Sequence, residues 1–99
     1  MSETKTQTDR LTSFDLGRVA GELERVRCVL FCVEQATSRK FTPGRLAAAR
    51  ADADSISTID ATTLHCAERA SIPLEAVRVK AMFQMDAMIE KWEETNAQQ

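Results

Sequence analysis

The sequence predicts an all-α protein: a bundle of three long helices, or four if the second one breaks, paired into a dimer. Three observations carry this. Apolar residues recur at helical spacing in three long blocks. Side chains that start helices stand ahead of them: Thr12, Thr42 with Pro43, and Pro73. Nothing reads as a strand: β-branched residues fall at helical spacing, tyrosine is absent, and three glycines are few for turns. No internal repeat or low-complexity segment interrupts the pattern.

The first block, Leu11 to Thr37, organises the rest. At heptad spacing it gives Leu16, Val19, Leu23, Val26, Leu30, Val33 and Thr37, an apolar seam for packing on other helices. Thr12 can act as N-cap with Asp15 three positions on, a capping box, and Leu11 and Leu16 stand at the hydrophobic-staple positions. A second stripe of Gly17, Gly21, Cys28 and Cys32, flanked by Phe31, lies roughly opposite the seam. A surface helix ordinarily has one apolar face, and this one has two. Each glycine costs about 1 kcal/mol against alanine in a helix, tolerable where another backbone approaches closely.

The second block opens more strongly. Thr42 is a good N-cap, Pro43 suits the first helical position, and Phe41 can staple to Leu46. An alanine-rich stretch follows, small enough for close approach to the first helix. The middle, rich in Asp, Ser and Thr, forms helix poorly. Because Ile56, Ile59, Thr63, Cys66 and Ala70 keep helical spacing, the favoured reading is one long helix from Pro43 to Ala70. A break near Ser55–Ser57, with Ser57 recapping, is the alternative. The third block runs from about Pro73 to Glu94. Its main face is Leu74, Val77, Ala81, Met85, Met88 and Trp92, widened by Met82 and Ile89; Val79 and Phe83 fall outside it. Residues 1–10 read as a disordered polar tail, 11–94 as a single domain and 95–99 as a frayed end.

Bulk properties narrow the function. Ninety-nine residues make one domain with one modest core. A net charge of −2 lacks the basic field that broad nucleic-acid or membrane-surface binding needs. No run approaches the ~18 apolar residues of a membrane span, and no signal-peptide pattern opens the chain. We therefore expect a cytoplasmic protein that does not engage membranes. The three cysteines are an odd number, which argues for reduced thiols over a disulfide framework.

Chemistry has little to stand on. The single histidine, His65, has no recognisable catalytic partner, and no phosphate loop, nucleophile elbow or paired-carboxylate motif is present. Cys28, Cys32, His65 and Cys66 have the atoms for a zinc site, yet neighbours on a helix point about 100° apart and the CxxC spacing is absent. We expect no enzyme, no cofactor and no metal. The stretch from Leu64 to Val77 resembles a helix-turn-helix, with Ala67 as its small residue, Ser71 in place of the turn glycine and Val77 on the reading helix. Lys80 stands where an apolar residue belongs, and only Arg78 and Lys80 could reach DNA, fewer contacts than specific binding needs.

The reading that remains is protein–protein interaction. Two helices carry surplus apolar faces, and monomers seldom expose large apolar patches. The candidate partner or self-contacting residues are Gly17, Gly21, Cys28, Phe31, Cys32, Val79, Met82 and Phe83, with Arg25 and Arg27 as polar neighbours. Phe31 and Phe83 are expected to govern association, Leu23 and Leu30 the fold. In whole-chain character, short, helical and seamed with cysteine and methionine, the protein resembles the small anti-activators that bind LuxR-type quorum-sensing regulators. That resemblance implies a negative regulator that binds a transcription activator and blocks its dimerisation or DNA binding. The alternatives are a helix-turn-helix regulator, with helices around 64–70 and 73–83, and a structural or assembly subunit.

Overall fold

A computed structural model describes residues 11–36 and 38–98; the expected tail over residues 1–10, Thr37 and Gln99 lie outside the described residues. All regular structure among the described residues is α-helical: α1 (Ser13–Ala36), α2 (Pro43–Ser57), α3 (Ala61–Arg69) and α4 (Leu74–Gln98).

Local side-chain chemistry sets the helix starts. Before α1 the Asp15 N–H donates to Thr12 Oγ1 at 3.0 Å, and the Thr12 N–H donates to Asp15 Oδ2 at 3.1 Å. This is the reciprocal capping box expected of that spacing. Thr42 caps α2 from an extended backbone, its hydroxyl accepting the Arg45 N–H at 3.1 Å, with Pro43 just inside the helix. The Phe41 ring meets Trp92 edge-on, with centroids 6.2 Å apart, so the residue before the cap ties the α1–α2 loop to α4.

The single long helix expected over Pro43–Ala70 does not form. α2 stops at Ser57, and Asp60 caps a new helix, its carboxylate accepting the Thr63 N–H at 2.7 Å. Hydroxyls explain the stop. Ser57 Oγ donates to the Asp54 carbonyl at 2.9 Å and Thr58 Oγ1 to the Ser55 carbonyl at 3.0 Å, satisfying carbonyls that helix continuation would otherwise use. The break is therefore about three residues later than the Ser55–Ser57 alternative, and Asp60 rather than Ser57 recaps. Ile59 lies inside the break and is still buried, which is why the apolar spacing runs through it unchanged.

The α3–α4 turn is a Schellman motif. The Ile72 N–H donates to the Ala67 carbonyl at 2.9 Å and the Ser71 N–H to the Glu68 carbonyl at 3.0 Å, with Ser71 in the left-handed region at φ 59°. α4 starts at Leu74 and stays helical to Gln98, beyond the end expected near Glu94. Thr95 Oγ1 donates to the Lys91 carbonyl in this last stretch.

α4 is the hub, packing most extensively on α1 and then on α2; α3 packs on both α1 and α4, while α1 and α2 barely touch. The α1 start lies near the end of α3, where Arg69 acts on Asp15, and the α1 end meets Met85, Met88 and Trp92. α1 and α4 therefore run parallel. The α2–α3 leg returns alongside this pair, with Arg25 hydrogen-bonded to Ser55 and Arg50 paired with Glu93.

The core joins Val19, Val26, Val29 and Val33 of α1 to Leu46, Ala49 and Ile56 of α2, and to Leu74, Ala81, Met85, Met88 and Trp92 of α4. Two details differ from the heptad seam. Val29, outside it, is buried; Leu16, inside it, is 40% exposed, and Leu23 and Leu30 are half-buried. The seam presumes one partner, but α1 packs against two legs. The α2–α3 leg touches the flank bearing Arg25, which draws the buried arc toward Val29.

Candidate protein-binding surfaces

Large side chains excluded from the core mark the candidate surfaces. Phe14 (73%), Phe31 (62%), Val79 (43%) and Phe83 (75%) are exposed, and each lies on a helix whose opposite side is buried. On α1, Gly17, Gly21, Cys28 and Cys32 share the exposed back with Phe31. A Cβ built on Gly17 or Gly21 meets nothing within 4 Å, so no backbone among the described residues approaches the glycines. On α4, Val79 and Phe83 project from the back, while Met82 is half-buried and its sulfur accepts from Arg78 Nη1 at 3.3 Å.

Seven of the eight candidate residues thus occupy two separate helix backs, whereas Met82, expected there, packs against the core. They are not one continuous patch, because the shared α1–α4 core lies between the two backs. The half-buried Leu23, Leu30, Met82 and Ile89 rest against that core.

The sequence reasoning missed a groove. Where α1 and α2 splay apart, they leave an open hollow of about 310 Å³. Phe31, Cys32, Val33 and Ala36 form one wall, Ala48 and Ala49 the other, and Met85, Met88 and Trp92 the floor. Its rim is polar: Gln35, Arg39 and Arg45 towards the loop, and Asp52 on the α2 side. The Arg45 guanidinium is held by the Lys40 carbonyl. The alanines of α2 were the available signal. Small side chains open a groove when the helices that carry them do not close up.

Several charges elsewhere are engaged within the chain. Arg78 forks onto Glu75, with Nε and Nη2 at 2.9 and 3.0 Å from its carboxylate oxygens, and Arg25 pairs with Glu22. The Arg18 guanidinium lies 5.1 Å from the Phe14 ring centroid, a cation–π contact. Two carboxyls are held below their usual range. For Asp15 the Thr12 backbone N–H is the main cause, with its hydroxyl next; for Asp60 the Thr63 N–H leads in the same way.

The zinc ligands considered from sequence do not assemble. Cys28 and Cys32 are exposed on α1, Cys66 is half-buried on α3, and among the described residues no three His, Cys, Asp or Glu side chains come together as a metal group. No helix among the described residues is long and apolar enough to cross a membrane. Set beside known protein families, characterised proteins and solved structures, the chain matches none of them.

Proposed function

We propose that this protein is a non-enzymatic protein–protein interaction module. In our reading it is a negative regulator that binds a transcription activator in the cytoplasm and blocks its dimerisation or DNA binding. The observation that carries the interaction reading is the set of large apolar side chains, Phe31, Val79 and Phe83, held out of a core that is already filled. Exposed aromatic side chains on rigid helices lose little entropy on binding and supply concentrated interface energy. The choice of an activator as target rests on the whole-chain resemblance alone. The test is a DNA mobility assay with a LuxR-type activator from the same cell. The protein should release the activator from its site, and Phe31→Ala with Phe83→Ala should abolish that release. Unchanged activator binding to DNA at saturating protein would end the anti-activator reading.

One observation favours a second reading. Ser71 adopts the left-handed conformation that the helix-turn-helix resemblance asks of its turn residue. Charge weighs against it, since Arg78 is taken up by Glu75 and Lys80 is left as the cation of the first turns of α4. Sequence-specific duplex binding that weakens steeply with salt, and that Arg78→Ala with Lys80→Ala destroys, would establish DNA reading instead.

A further inference from the structure

We infer that two copies of this chain pair through α1, antiparallel and two-fold, with Phe14 and Arg18 of each copy seated in the α1–α2 groove of the other. The inference rests on the interaction reading and names one partner for it: the chain itself.

The α1 back is self-complementary in size. Reversed about the midpoint between Glu24 and Arg25, Gly21 falls opposite the partner's Cys28 and Gly17 opposite the partner's Cys32. The places without side chains thus meet the places with side chains, and the open space over both glycines is where the partner's thiols fit. The same operation sets Phe14 opposite the partner's Gln35, on the groove rim, and Arg18 opposite the partner's Phe31, on the groove wall. The groove's 310 Å³ exceeds the volume of a phenylalanine side chain, and its floor and walls are apolar.

One carboxylate of the groove fits the same arrangement, beside the rim cations Arg39 and Arg45. Arg18 travels with Phe14 as a cation–π pair, and the groove offers both an aromatic face, Phe31, and a carboxylate, Asp52, that has no partner among the described residues. At the crossing, Glu24 and Arg27 are exposed, opposite in sign and likewise unpaired. The two-fold brings each Glu24 within reach of the partner's Arg27. Antiparallel α1 helices also set their dipoles head to tail. Because the pairing is isologous, each contact occurs twice and the assembly closes at two subunits.

The register is testable through thiol chemistry. In an antiparallel pair Cys28 faces glycine, so oxidised glutathione should leave the wild-type chain without an intermolecular disulfide. With Gly21→Cys, the introduced thiol and the partner's Cys28 should join, two thiols giving up two hydrogens as one glutathione disulfide becomes two glutathiones. Adding Cys28→Ser to that variant should remove the link. In solution, sedimentation of the full chain at micromolar concentration should show a dimer. Arg18→Glu, Asp52→Arg and Phe14→Ala should each raise its dissociation constant by roughly tenfold or more, with circular dichroism unchanged because all three side chains lie outside the core. Arg18→Glu combined with Asp52→Arg should restore pairing. A wild-type Cys28–Cys28 disulfide would mean parallel pairing and overturn the inference, as would charge reversal without rescue. A monomer that still captures an activator through Phe31 and Phe83 would overturn this pairing and leave the interaction reading standing.

Discussion

α1 and α4 are nearly equal in length, run parallel and each bury one stripe, yet they are built from different materials. α1 buries four valines, stiff at χ1, and presents a back of glycine, cysteine and phenylalanine. Besides Ala81, α4 buries Leu74, Met85, Met88 and Trp92, flexible or large groups that fill irregular space, and carries Val79 and Phe83, one helical turn apart, on its back. As the hub, α4 must fit three neighbours at once, which suits adaptable side chains. α1 leaves an outer face where open space over Gly17 and Gly21 alternates with the exposed rings of Phe14 and Phe31. In the reading proposed above, α4 both holds the fold together and offers Val79 and Phe83 to a partner, while the α1 back serves contact with another molecule.

Core truncation on α4 should break that contrast most severely. Trp92→Ala removes the groove floor and the Phe41 contact and should cost about 3–5 kcal/mol, against roughly 2 kcal/mol for Val33→Ala, as read by denaturant unfolding. Equal losses would show that the two helices share the fold evenly. Phe31→Ala and Phe83→Ala come next. Each should weaken association by roughly 2 kcal/mol in calorimetry while moving stability by less than about 0.5 kcal/mol.

Smaller effects sharpen the difference between folding and binding. Gly21→Ala should raise the stability of the isolated fold by about 1 kcal/mol, because the added methyl meets nothing and the helix gains propensity. The same change should weaken self-association, since the methyl then occupies space meant for the partner. A variant that is more stable and equally associated would show that the glycines have no partner. Ser71→Gly should stabilise by about 1 kcal/mol by relieving the left-handed strain.

The pH dependence is smallest. Asp15 and Asp60 have folded pKa values below the ordinary 3.8. Their capping contribution is therefore present above that value and lost as pH falls through the lower folded values. Helix content at α1 and α3, followed by exchange of the Thr12 and Thr63 amides, which donate to the two carboxylates, should decline only below about pH 4.

What was legible in the sequence was mostly local. Thr12 with Asp15 and Thr42 with Pro43 announce helix starts because the groups that bond are three residues apart or fewer. The α4 face was readable because one dominant stripe faces one core. The break before Asp60 was not, since Ile56, Ile59 and Thr63 are all buried and keep helical spacing across it. Periodicity reports which side faces the core, and a short break that preserves phase leaves it intact. Val29 escaped because a heptad seam presumes one neighbour where α1 has two. Among the candidate site residues, the exposure of Phe31, Val79 and Phe83 followed from their positions around the helix. The groove did not, because it depends on how far α2 stands from α1.

The central claim is that the exposed backs serve association and the buried stripes serve the fold. Melting and sedimentation measured on the same samples of the wild type, Phe31→Ala and Leu30→Ala test it most directly. The account predicts that Phe31→Ala melts like the wild type but sediments as a weakened dimer, and that Leu30→Ala, losing a side chain packed on the core, melts markedly lower. If Phe31→Ala lowered the melting temperature as much as Leu30→Ala and left association unchanged, Phe31 would belong to the fold and the claim would be wrong.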